Sequence, residues 1–272
     1  MKSAITISLV PETKGGPFVF WDGLADGFAR AAKLGFDAVE IFPSSSEELD
    51  AREIKKLCAE HNLKVAAIGT GAGWVKHKLR LTDPDPTVRR RAQQFIGAII
   101  DFASSFGAPA ILGSMQGRYE GSVMREQALA WLAEALEQLG PRAHAAGVPF
   151  LYEFLNRYET NLFNRVADSL EFLKTLRTQN VKLLCDLFHM NIEESDVAAA
   201  LRLAGPKVGH VHFADSNRRA IGRGHTDMKP VMAALRDIGY SGYLSAEVFA
   251  LPDSQAAAEQ TINSFRALTA DG

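Results

Sequence analysis

Short apolar runs alternate with longer stretches whose apolar residues recur every three or four positions, and the alternation persists from one end of the chain to the other. Four of the runs, Ala4 to Leu9, Ala38 to Phe42, Lys64 to Gly69 and Ala110 to Gly113, lie in the first half. The other four, Pro149 to Phe154, Lys182 to Asp186, Val208 to Phe213 and Gly242 to Val248, lie in the second. Runs this short and this rich in Val, Ile, Leu, Phe and Tyr predict buried strands, while stretches such as Thr87 to Phe106 and Ser122 to Ala146 predict helices. Glycine recurs where helix yields to strand, in Leu34-Gly35-Phe36-Asp37, Phe106-Gly107-Ala108-Pro109, Ala146-Gly147-Val148-Pro149 and Ile238-Gly239-Tyr240. Glycine accepts the left-handed conformation that ends a helix, so the recurrence marks a repeated βα unit. Eight such units with no Pro/Gly/Ser-rich linker between them predict an α/β protein with a single (β/α)8 TIM barrel over residues 1–272, in preference to a doubly wound sheet.

Composition narrows the partners. A formal net charge of −2, with no long Lys/Arg block, lacks the basic footprint of a nucleic-acid-binding surface, so the expected partner is a small solute. Cys58 and Cys185 stand in no metal-type or redox-type spacing, which fits a reducing compartment and makes cytoplasm the expectation. The run Ala4 to Val10 is too short for a signal-peptide core or a membrane span and is closed by Pro11-Glu12, so neither export nor anchoring is expected. The sequence leaves homo-oligomerisation open.

Candidate chemistry gathers at the strand ends of the second half. Glu153, Asp186, His212 and Glu247 each end an apolar run before a polar loop. Parallel strands deliver their C-terminal ends to one face of a barrel, and three carboxylates converging there resist ionisation unless a cation neutralises them. Each residue alone has a blander explanation. Glu153 begins a loop of surface ion pairs in one reading, and Asp186 caps a helix in another, although helix patterning starts only near Glu193. His210 and His212 share one face of their strand, and His212 is favoured as nearer its C-terminal end. Glu247, embedded in an apolar strand, is the hardest to explain without a partner. Three carboxylates and one imidazole suit one divalent ion of the harder kind, Mn²⁺, Mg²⁺ or Co²⁺, with Zn²⁺ as a further option.

Other polar positions are weaker candidates. Gln116 and Glu40, at or just beyond strand ends, have the chemistry to hydrogen-bond hydroxyls of a ligand or, alternatively, to be satisfied by neighbouring protein groups. The glycine-rich Gly69-Thr70-Gly71-Ala72-Gly73 lacks the helix entry of a dinucleotide loop, so it reads as an active-site loop in which Lys76, Lys78 and Arg80 are placed to grip an anionic group or to be solvated. Ser114 has no histidine nearby to activate it.

At this point the residues match a known pattern. Glu153-x-x-Asn156-Arg157-x-Glu159, Asp186-x-Phe188-His189-Met190-Asn191-Ile192-Glu193-Glu194, Gly209-His210-x-His212 with Asn217-Arg218 and Gly222-x-Gly224, and Glu247 after Gly239-Tyr240-x-Gly242 resemble the motifs of the D-tagatose 3-epimerase (ketose 3-epimerase) family within the xylose isomerase-like TIM barrels. The match is specific from Glu153 to Phe249 and looser before it, and Leu187 stands where the family usually has Thr. The aromatic residues that shape the family's pocket from the N-terminal strands have no clear counterpart in the sequence. The resemblance implies that Glu153, Asp186, His212 and Glu247 are metal ligands, Mn²⁺ first among the ions, and that Glu159, His189 and Arg218 contact a sugar. It implies a metal-dependent epimerase that interconverts ketoses at C3. Glu153 and Glu247 would deprotonate and reprotonate that carbon, and the metal would stabilise the enediolate between the two steps.

Three rivals share parts of this pattern. An aldose–ketose or sugar-phosphate isomerase would use the same site in another substrate register. An endonuclease like the endonuclease IV relatives of this barrel would need more histidine ligands and a DNA-binding surface, and four of the seven histidines lie outside the motifs. A non-catalytic sugar-binding barrel would have no need of a base on each face.

Overall fold

In the computed structural model, which describes residues 1–270, all eight apolar runs are strands. They are β1 (Lys2–Ser8), β2 (Ala38–Phe42), β3 (Lys64–Gly69), β4 (Ala110–Leu112), β5 (Phe150–Glu153), β6 (Val181–Asp186), β7 (Val208–His212) and β8 (Tyr243–Ala246). Every neighbouring pair is parallel, the strands follow one another in chain order, and β8 closes on β1 with Lys2 opposite Tyr243. The expected (β/α)8 barrel is the observed architecture.

Alternation along each strand divides the core in two. Ile5, Ile7, Val39 and Ile41 belong to the large apolar cluster shared with the surrounding helices. Their neighbours face the barrel interior, where Ala4, Ala38 and Ala66 form one layer and Ala67, Ile111, Leu151 and Leu184 another. Above these apolar layers the same inward parity brings Glu40, Glu153, Asp186, His210 and His212 toward the C-terminal mouth, all buried. A barrel interior has no water to solvate a lone charge, so these groups must satisfy one another or hold something else.

Two boundaries differ from expectation. β8 stops at Ala246, so Glu247 stands just past the strand, its N–H donating to the Ser245 carbonyl at 3.1 Å. A helix also begins directly at Leu187 and runs to Glu193, earlier than the periodicity indicates. Asp186 does cap it, with Oδ1 accepting from the Phe188 N–H at 2.8 Å. Capping and the cluster below use different oxygens of the same carboxylate, so the two explanations weighed for Asp186 are not exclusive.

The N-terminal loop folds back on the barrel. Thr6 takes the Val19 N–H on its hydroxyl at 3.1 Å, and Phe20 bridges to Ile7, which sets Phe18 over the mouth. Among the described residues no helix is long and apolar enough to cross a membrane, and Cys58 and Cys185 are both free.

Candidate active site

A cavity of about 740 Å³ opens at the C-terminal end of the barrel and contains Glu153, His189, His212, Arg218, Glu159 and Glu247 in its lining. Ligand atoms of Glu153, Asp186, His212 and Glu247 all lie within 4.8 Å of one another. His212 Nδ1 is the hub, 3.3 Å from Glu153 Oε1, 3.6 Å from Glu247 Oε2 and 3.7 Å from Asp186 Oδ2. Like charges about 4 Å apart repel by roughly 4 kcal/mol at the effective dielectric of a protein site, so three carboxylates here demand positive charge.

The donor set itself tests whether that charge is a metal ion. Among the described residues nine buried side-chain atoms lack a hydrogen-bonding partner. Five of them, Glu153 Oε1, Asp186 Oδ2, His189 Nε2, His212 Nδ1 and Arg218 Nε, border this one cluster. Buried polar atoms are otherwise almost always paired. Three of these five, the carboxylate oxygens of Glu153 and Asp186 and the His212 imidazole nitrogen, belong to the converging four-residue set, a donor combination that fits a divalent metal ion.

The protonation balance follows the same geometry. Burial drives the Glu153 carboxyl up to about 7, with Glu247 and Asp186 adding to the rise against the pull of His212. Burial would also raise Asp186, but His189, His212 and Arg218 outweigh it and hold that carboxyl at about 2. For His212 burial is overcome by Glu40 and Glu247, which lift it well above the ordinary imidazole value. His189 goes the other way, down to about 4, because burial dominates. It is therefore a neutral ring at physiological pH.

His189 is also oriented. The Asn156 amide meets its Nδ1 at 2.7 Å, which leaves Nε2 as the N–H donor, 3.4 Å from Asp186 Oδ2 and 3.8 Å from Glu153 Oε1. Arg218 approaches from the opposite loop. Its guanidinium lies 2.5 Å from Glu247 Oε2, 3.4 Å from Glu159 Oε1 and 4.9 Å from the centre of the Phe188 ring.

The loop that carries Arg218 is built around Asp215. That carboxylate accepts the N–H groups of Ser216, Gly222, Gly224 and Thr226 at 2.7 to 3.0 Å. Burial would raise its pKa, but those donors bring it below the ordinary value. Arg218 has φ +57°, an unusual conformation for a residue with a side chain, and is fixed by its N–H on Asp215 O and its carbonyl on Phe249 N, both at 2.8 Å. Several other motif residues act as ties. Glu193 binds the Arg157 guanidinium and takes its backbone N–H at 2.6 Å, and Glu194 takes the Val166 N–H at 2.7 Å.

Some expected residues sit elsewhere. Gln116 is fully buried and absent from the cavity lining, its amide N–H donating to the carbonyls of Gly113 and Glu153 and its oxygen accepting the Tyr152 hydroxyl. It braces β4 and β5 from outside the cavity lining, with both ends of its amide engaged by protein groups. Both Glu40 oxygens are taken by histidines. Lys76 pairs with Glu48, Lys78 donates to the Val75 carbonyl, and Arg80 is held by Asp83 and Glu120. The expected anion grip is thus spent on internal partners, although Arg80 does line the cavity.

The wall that sequence reading does not anticipate is aromatic. Phe18 and Phe42 pack with ring centres 4.5 Å apart and planes tilted by 36°, and Trp74 joins them along the cavity. The glycines at 69 and 71 make room for this, since a β-carbon there would fall 2.6 Å and 2.9 Å from the Phe42 ring. Phe42 ends β2 at the mouth and so was open to detection; Phe18 sits in a loop with no such signal.

A family model for the xylose isomerase-like TIM barrel matches residues 28–268 of this chain. The chain belongs to the xylose isomerase-like TIM barrel family. Within it the barrel is 32% identical over 227 residues to the D-psicose 3-epimerase of Ruminiclostridium cellulolyticum, covering 81% of this chain and 76% of the relative. It is 31% identical to the L-ribulose 3-epimerase of Methylomonas sp., covering 86% and 84% of the two chains. Among solved structures it resembles the D-allulose 3-epimerase of Methylomonas sp. in complex with D-allulose, with a TM-score of 0.81, 25% identity and 98% of each chain covered. These relatives make the xylose isomerase-like chain an isomerase of the epimerase kind, as its motifs imply.

Proposed function

We propose that this barrel is a divalent-metal-dependent ketose 3-epimerase, with Mn²⁺ as the first expectation for the ion and Mg²⁺, Co²⁺ and Zn²⁺ as alternatives. The observation that carries the reading is the pair Glu153 and Glu247. They enter one cavity from β5 and from beyond β8 and reach the same histidine nitrogen at 3.3 Å and 3.6 Å. Its relatives named as D-psicose and L-ribulose 3-epimerases, and the D-allulose bound to a similar barrel, support a free ketose as substrate.

Epimerisation beside a ketone requires one group to remove the C3 proton and a second to return a proton to the opposite face. Glu153, Asp186, His212 and Glu247 would hold the ion, which as a Lewis acid would supply positive charge against the developing oxyanion. Glu153 and Glu247 carry the protons, each contributing on the order of 10²- to 10⁴-fold as a positioned acid or base. His189, neutral and with Nε2–H aimed into the cavity, donates to a substrate oxygen. Arg218 keeps Glu247 in place and presents its remaining N–H groups to hydroxyls, and Glu159 accepts from them. The Phe18, Phe42 and Trp74 wall excludes water and packs on the C–H face of the sugar. The free cysteines suit work in the reducing cytoplasm.

The test is turnover of D-fructose, D-tagatose, L-ribulose and their phosphorylated counterparts by protein stripped of metal and then reloaded with Mn²⁺. The reading predicts a C3 epimer from at least one free ketose, formed only by the loaded protein. An aldose product would instead make the barrel an aldose–ketose isomerase, and metal binding without turnover of any ketose would make it a binding protein.

A further inference from the structure

Beneath the four-residue cluster lies a second set of carboxylate and imidazole groups, Glu40, His210 and His212, whose ligand atoms also converge within 4.8 Å. The two sets share His212 and differ in one respect. In the lower set Glu40 Oε2 meets His210 Nε2 at 2.8 Å, and Glu40 Oε1 meets His212 Nε2 at 3.1 Å. None of these four atoms is among the unpartnered buried atoms of the described residues. The lower set is saturated by its own members, so it is no second cation site.

Glu40 reaches across the barrel interior from β2 to β7, and it is 4% exposed. A buried carboxylate of this kind costs several kcal/mol unless both oxygens are engaged, and each here takes one imidazole. Its hold on His212 Nε2 leaves Nδ1 as the nitrogen that faces Glu153, Asp186 and Glu247. The other oxygen, tied to His210, fixes the rotation of the carboxylate. The two imidazoles stand edge to face, 5.7 Å apart and at 86°, so neither ring turns without disturbing the other.

We infer that Glu40 is a positioning residue for the metal centre: it selects Nδ1 of His212 as the ligand atom, and His210 locks Glu40 in the orientation that does so. The inference rests on the proposed metal site. Partners of this kind behind a ligating histidine typically change metal affinity by about 10- to 100-fold.

Isothermal titration with Mn²⁺ tests it, on the wild type and on Glu40→Gln, His210→Gln and Asp186→Asn. The wild type binds one equivalent; Asp186→Asn abolishes binding; Glu40→Gln weakens it by about 10- to 100-fold and His210→Gln by less. Proton–nitrogen correlation spectra of the imidazoles supply a readout that general loosening of the fold would not mimic. In wild-type protein loaded with diamagnetic Zn²⁺ they show His212 protonated on Nε2, whether or not the Glu40 variant folds. Wild-type protein that binds no ion would overturn the metal site and this inference together. Intact wild-type binding with an unchanged affinity in Glu40→Gln, or a proton on Nδ1 of His212 in the loaded wild type, would overturn the role of Glu40 alone.

Discussion

Strands β5 to β8 bring Glu153, Asp186, His212 and Glu247 to the mouth of the barrel, whereas β1 to β4 bring Phe42, Gly69 and Gly113, with Phe18 and Trp74 from the adjoining loops. One half of the mouth gathers the converging carboxylates and five of the unpaired buried atoms of the described residues; the other carries the aromatic wall. On the proposed reading, proton transfer and ion binding belong to the C-terminal half and the shape of the sugar site to the N-terminal half. Changes on the first side should therefore strike kcat, and changes on the second should strike KM.

The largest effect is expected from Glu247→Gln, which removes one of the two proposed proton carriers and a charge that Arg218 compensates. Turnover should fall by about 10²- to 10⁴-fold in protein that still melts cooperatively, measured by steady-state kinetics. Gly113→Ala crosses the division. Residue 113 lies just past β4, on the apolar side, yet a β-carbon there would come within 2.5 Å of Glu153 Oε2. Displacing that carboxylate should lower kcat by about 10²-fold with KM less affected.

Asp215→Asn probes the charged side through its scaffold. The carboxylate holds four backbone N–H groups around Arg218, so the substitution should cost about 1–3 kcal/mol in denaturant unfolding. Its folded pKa lies below the ordinary 3.8, so the stabilisation is present in full above that value and is lost as pH falls through the depressed one. The acid limb of the wild-type stability profile should accordingly be shallower in the variant. Trp74→Ala, on the apolar side, should raise KM about 10-fold and leave kcat within a few-fold, because it removes packing that substrate and transition state share.

The same division explains what the sequence disclosed. Glu153 and Asp186 were visible because an acid at the end of an apolar strand is costly without a partner, and the cluster they form with His212 and Glu247 is where the unpaired atoms lie. The aromatic wall was invisible because Phe18 and Trp74 are residue types that any core uses, and only the fold brings them to the cavity. Gln116 misled for the opposite reason: a polar residue near a strand end resembles a substrate contact until its three partners are seen. The helix Leu187–Glu193 escaped notice because seven residues are too few to establish a helical period. The barrel itself was legible throughout, since eight apolar runs and the glycines that follow their helices state it many times over.

The most direct test of the two-base account is proton NMR of the Mn²⁺-loaded protein acting on free ketoses in D₂O, with the metal removed before spectra are taken. The account predicts deuterium at C3 of the epimer formed, with none at C1 and no aldose. Deuterium at C1 accompanied by an aldose, or epimer formation with the C3 hydrogen fully retained, would contradict it.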